Sequence, residues 1–247
     1  MGQKNRVNDK RLTKKQVSEI IKAEGKLHQE YTRFFEEKYA TGYIKQDKVY
    51  ELQGDKYLYV FDEKKMAVGG KGDIYPKDYF LKLVRWNQRV RDDYANNRGS
   101  SVDHWRFYSK YKFDFIDHVQ PMITDLAKKL GVDSAKLDCT YESLGLISIE
   151  CQQYDSEQLF HEWYDHLVAY VGEVIKKRVN GTWEMNSALA GGIFPFISVN
   201  SKYISYMPIN VVWKTIGGLE DIDFRKQTAN EVRRNALAAK FEKDFGK

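Results

Sequence analysis

The run from Asp155 to Glu184 limits the possible folds more than any other stretch of this chain: an amphipathic helix, an Asn-Gly stop, and a strand opening on tryptophan. Placed at about 100° per residue, Leu159, Phe160, Trp163, Tyr164, Leu167, Val168, Tyr170, Val171, Val174 and Ile175 fill about half of the helical wheel. Glu162, Asp165, His166, Glu173 and Lys176 fill the rest. That pattern predicts a helix laid on a core with one side toward solvent. Asp155 or Ser156 suits the N-cap, and Asn180-Gly181 supplies the left-handed residue that ends many helices. Gly172 sacrifices about 1 kcal/mol of helix propensity relative to alanine, which points to close approach by a neighbour. Trp183 starts a strand returning to the same core.

Around this stretch the sequence predicts an α+β fold of long helices on small antiparallel sheets. A helix is expected from Thr13 to Tyr39, with Thr13 and Gln16 as a capping box, after a frayed basic segment over residues 1–12. A meander follows: Val49–Gln53 and Lys56–Phe61 flank Gly54-Asp55, and Met66–Val68 forms a third strand. Gly69-Gly70-Lys71-Gly72-Asp73 reads as a turn. It lacks the glycine spacing and the Ser or Thr after lysine that a phosphate loop requires. Pro76 suits the first turn of a helix reaching Asn96. Asn97–Ser101 is polar and small and divides the chain into 1–99 and 100–247. A helix bent at Pro121 is expected from Ser101 or Asp103 to Leu130. Leu137–Gln153 favours helix over strand. Strands Thr182–Met185, Ile193–Val199 and Lys202–Tyr206 precede a short helix from Pro208 and a basic terminal helix from Ile222.

The formal charge of +5 is carried by the ends. Residues 1–15 hold six Lys/Arg and one Asp, and residues 225–247 hold seven Lys/Arg and three acids, which leaves −4 for residues 16–224. A nucleic-acid binder carries its basic footprint on a folded face, so no nucleic-acid partner is expected. Neither a membrane-spanning apolar run nor a basic-then-apolar leader is present, so no membrane partner is expected. Two cysteines, Cys139 and Cys151, do not make a disulfide framework. Together these features make the cytoplasm the expected location.

No local motif specifies catalysis. His161 and His166 are five residues apart, about 140° around a helix, whereas one metal needs two histidines four apart. Neither a metal nor a cofactor is expected. Glu162, His166 and Glu173 fall within about 40° of one another on the wheel, a carboxylate–imidazole–carboxylate stripe that acid/base chemistry could use. Its ordinary reading is a solvated face with the i,i+4 pairs Glu162–His166 and Glu173–Lys177. The aromatic share of 14% is high and fits aromatic packing or a contact surface. Trp86, Trp105, Tyr108 and Tyr111 are the contact candidates, provided their rings are exposed.

The order Ala169-Tyr170-Val171-Gly172-Glu173-Val174-Ile175, then Asn180-Gly181-Thr182-Trp183, Pro195 in the next strand and Pro208 before a short helix resembles a pattern in uncharacterised bacterial proteins. Some of these are counted among the immunity proteins that accompany polymorphic or contact-delivered antibacterial toxins. The resemblance spans about residues 138–217. It implies a scaffold that binds one cognate toxin, with Gly172, Gly181, Trp183, Pro195 and Pro208 serving the fold. The alternatives are an enzyme built on the Glu162/His166/Glu173 stripe and a non-catalytic scaffold or defence accessory protein.

Overall fold

A computed structural model of the 247-residue chain describes residues 7–8, 10–62, 71–186, 192–199 and 204–245, without the side chains of 238, 239 and 241–245. The fold is α+β. Its contacts group into two units, Met1–Gln88 and Arg89–Lys247.

In the first unit a four-stranded antiparallel sheet runs in the order β1 (Lys26–Leu27), β4 (Lys48–Leu52), β5 (Lys56–Val60), β6 (Gly72–Pro76). The pair β2 (Glu37–Lys38) and β3 (Ile44–Lys45) stands apart. Alternation along β5 explains the layers. Leu58 and Val60 join Val17, Ile20 and Ile21 of α1 (Lys14–Ala23) on one face. Tyr57 and Tyr59 join Tyr31 and Phe34 of α2 (Gln29–Phe34) and Phe80 of α3 (Lys77–Ala95) on the other. A strand covered on both faces is buried at every residue from 57 to 60.

Three expectations fail in this unit. The helix from Thr13 stops at Ala23, where the Glu24 and Gly25 N–H groups close onto the Ile20 and Ile21 carbonyls, and β1 and α2 replace its second half. Gly72-Asp73 is the start of β6 rather than a turn. A side chain on Gly72 would lie 2.8 Å from the Tyr59 carbonyl oxygen, so glycine permits this strand to close on β5. The segment before α1 is not frayed where it is described, since Val7 and Leu12 donate backbone hydrogen bonds to Ile74 and Gly72. The expected strand Met66–Val68 lies outside the described residues.

The second unit is built around α8 (Tyr164–Val179), whose residues from Tyr164 through Ile175 are all buried. It packs against α5 (Val119–Leu130), α9 (Pro208–Gly217), α10 (Phe224–Phe245) and the strand β8 (Phe194–Ser198). The expected solvent side of α8 is therefore absent, and neighbouring elements cover the polar half of the wheel. Asp155 caps the start, accepting the Gln158 N–H. A short α7 (Ser156–Gln158) then widens into a π-helical turn, Leu159–Trp163, before α8 begins. That wider turn shifts the residues before it out of α-helical register with those after it. Asn180 ends α8 in the left-handed conformation.

Strands β7 (Thr182–Asn186), β8 and β9 (Ser205–Tyr206) form an antiparallel sheet in that order. Pro195 is buried in β8 beyond the part that β9 pairs, where a strand tolerates a missing N–H, and Pro208 opens α9. The expected long helix after residue 101 is divided. It comprises α4 (Ser101–Tyr108), 3-10 turns at Lys112–Asp114 and Ile116–His118, and α5. The Lys110 N–H donates to the buried Asp165 carboxylate at 3.1 Å instead of continuing the helical ladder. Pro121 sits in the first turn of α5, where its missing N–H carries no cost. Helix α6 (Tyr141–Cys151) is capped by Thr140, which accepts the Ser143 N–H.

Candidate functional site

The stripe of Glu162, His166 and Glu173 is not assembled, because each side chain has a different partner. Glu162, on the π turn, is exposed and 3.5 Å from the Gln158 amide. His166 is buried with Nε2 2.9 Å from Asp125 of α5. Glu173 is buried beneath β7, accepting the Trp183 indole N–H at 2.7 Å and the Lys176 ammonium at 2.7 Å. The expected Glu162–His166 and Glu173–Lys177 pairs give way to these, and Lys177 instead donates to the Asp138 carbonyl. Burial lowers the His166 pKa, with Lys129 adding to the effect. Asp165, whose Oδ1 has no hydrogen-bond partner, has its pKa pushed up by burial to about 6.

The structural residues converge instead. A side chain on Gly172 would lie 2.0 Å from the Trp183 ring, so glycine allows the indole to rest on α8. At Gly181 it would meet Ile197 at 2.5 Å and the Ser198 carbonyl at 2.6 Å. Glu173, Gly172 and Trp183 thus fix β7 against the central helix.

Of the four aromatic contact candidates, Trp105 is 1% exposed and packs edge-on to Phe115 at 5.0 Å. A ring covered in this way cannot anchor a partner without rearrangement, so Trp105 is a core residue. Tyr108 and Tyr111 are half-buried against the same core, and Trp86 is half-buried on α3.

Exposed aromatic residues lie outside the four contact candidates: Tyr94, which helical patterning places on an apolar side, is 72% exposed, and Phe107 is 56% exposed. The connection from α3 to α4 joins the two helices that carry them. Asn97 turns the chain in the left-handed region, and Ser100 caps α4 by accepting the Asp103 N–H. The Arg98 N–H bonds to the Asp93 carbonyl at 2.6 Å. The Arg98 guanidinium lies 4.5 Å over the Phe107 ring, donates to the Tyr108 hydroxyl at 3.1 Å and pairs with Asp93 at 3.3 Å. Tyr94 reaches the same loop, 3.7 Å from where a side chain on Gly99 would begin. Asp93 also meets His104 Nε2 at 3.2 Å.

His104 is 1% exposed among Tyr108, Phe160 and Trp213, and its Nδ1 has no partner. Burial, then Arg98 and Arg89, lowers its pKa to about 4, so it is neutral at pH 7. Burial also raises the Asp93 pKa against the opposing pull of the same arginines. An imidazole this enclosed cannot reach a substrate proton. Contacts run from His104 to Asp93, from Asp93 to Arg98 and from Arg98 to the Phe107 ring.

No family model, curated protein or solved structure matches the chain. Among the described residues no three His, Cys, Asp or Glu side chains are placed to share a metal, and no helix is long and apolar enough to cross a membrane. A depression lined by Lys214, Thr215, Glu220, Asp223 and Gln227, among others, encloses about 170 Å³, below the roughly 300–1,000 Å³ of ordinary small-molecule sites.

Proposed function

We propose that the chain is a cytoplasmic immunity protein that binds and blocks one cognate antibacterial toxin through the Tyr94–Arg98–Phe107 patch. The observation carrying this reading is two aromatic rings more than half exposed at either end of one loop, whose Arg98 lies over Phe107 and pairs with Asp93. Tyrosine and arginine are enriched in binding hot spots, and a side chain already fixed in the free protein loses less entropy on docking. Two further points support it. The 138–217 pattern resembles immunity proteins, and the acid/base stripe that motivated an enzyme is spent on separate contacts within the unit.

The test is co-expression with a toxin gene from the same locus in a sensitive host. The wild-type chain should protect, while Tyr94→Ala combined with Phe107→Ala should fail to protect yet accumulate as folded protein. Cell death with the wild-type chain, and no complex on a sizing column, would overturn the proposal.

A further inference from the structure

We infer that the Asp93–His104 pair is an acid-sensitive latch beneath the Tyr94–Arg98–Phe107 patch, and that protonation of His104 releases the patch while the rest of the unit stays folded. The inference rests on reading that patch as the partner-binding face and adds a regulatory property to it.

The geometry allows His104 only one comfortable protonation state. With Nε2–H donated to Asp93 Oδ2, the bare Nδ1 sits in an aromatic enclosure where no acceptor is available. A second proton would create an unpaired buried N–H, which is costly because nothing replaces its lost hydration. It would also place a new cation beside Arg98, which already shares Asp93, in a neighbourhood that includes Arg89.

The groups facing His104 come from every side. Asp93 and Arg89 belong to α3, Arg98 to the connecting loop, Asp103 and Tyr108 to α4, and Glu157 to α7; α9 and the π turn contribute the uncharged rings of Trp213 and Phe160. Glu157, Asp103 and the Asp93 carboxylate 3.2 Å away favour protonation, and burial and the two arginines oppose it and prevail.

The sign follows from linkage. Opened, His104 titrates near its ordinary 6.5, and closed near 4. As pH falls below 6.5 the open form takes up a proton that the closed form refuses, so the opening constant rises about tenfold per pH unit until the closed form also titrates. Opening separates Asp93 from Arg98 and removes the support under Phe107.

Native-state amide exchange on the full chain tests this without any partner. After correction for intrinsic exchange, protection at the Arg98 amide should fall about tenfold per pH unit between pH 6.5 and 4.5, while the Val171 amide in α8 stays protected. In His104→Gln, which retains a donor for Asp93 but cannot ionise in this range, Arg98 protection should be flat. The latch is refuted if wild-type Arg98 protection is flat, if it falls equally in the variant, or if Val171 opens in parallel. Should the variant not fold, the wild-type His104 ring signal decides: an apparent pKa below the ordinary 6.5 supports the latch, and one at or above 6.5 refutes it. Because no toxin is present, failure here leaves the partner reading standing, and failure of toxin binding leaves these readouts unchanged.

Discussion

Replacing Gly172 with alanine places a methyl group 2.0 Å from Cη2 and 2.1 Å from Cζ2 of Trp183, about half of an ordinary carbon–carbon contact distance of roughly 3.5–4.0 Å. The indole cannot simply move away, since its N–H is held by Glu173 at 2.7 Å and its ring lies edge-on to Phe115 at 5.7 Å. Overpacking of this kind costs about 1–3 kcal/mol. If the ring shifts, it also gives up a hydrogen bond to a carboxylate worth about 1.5–3 kcal/mol. Alanine returns about 1 kcal/mol of helix propensity. With all three, the net expectation for Gly172→Ala is a loss of about 1.5–5 kcal/mol. Urea denaturation monitored by tryptophan emission measures it. The decisive comparison is a double-mutant cycle: in a Trp183→Ala background the same Gly172→Ala change should be neutral or slightly stabilising. A Gly172→Ala protein as stable as wild type, or equal penalties in both backgrounds, would refute the account of how β7 seats on α8.

Two other predictions follow from buried neighbours of this helix. Asp165→Asn should stabilise the protein above pH 6. The wild-type carboxyl, raised from 3.8 to about 6 in the fold, contributes stability that is full below pH 3.8 and lost as pH rises through 6, a loss of order 3 kcal/mol. Melting curves from pH 4 to 8 check this, and a variant gap that does not widen across that range would contradict it. Gly181→Ala should cost about 1–3 kcal/mol, because its methyl meets the Ser198 carbonyl as well as Ile197; an unchanged urea midpoint would show that β7 and β8 have room there.

Features written in local chemistry were legible in the sequence. The Asp155 and Asn180 caps, the Gly54-Asp55 hairpin, the strands β7 and β8 and the start of α9 at Pro208 each depend on residues within a few positions. What required distant partners was not legible. The break after Tyr108 depends on Asp165, 55 residues away, taking the Lys110 N–H. The apparent solvent face of α8 is covered by elements whose arrival no periodicity within α8 announces. The candidate site divides in the same way. Tyr108 stood out as an aromatic on an apolar arc, but burial made Trp105 core and exposure marked Tyr94 and Phe107. A usable signal lay in the Asp93–Arg98–His104 spacing around a polar turn, which became informative only once that turn folded α3 back toward α4.

The most direct test of the functional claim is calorimetric titration of the purified chain with the catalytic domain of a toxin encoded beside it. The patch account predicts a stable complex in which Phe107→Ala weakens binding by at least about 2 kcal/mol, roughly 30-fold in Kd, with an unchanged melting temperature. No measurable binding by the wild-type chain, or undiminished wild-type affinity in both Phe107→Ala and Tyr94→Ala, would contradict it.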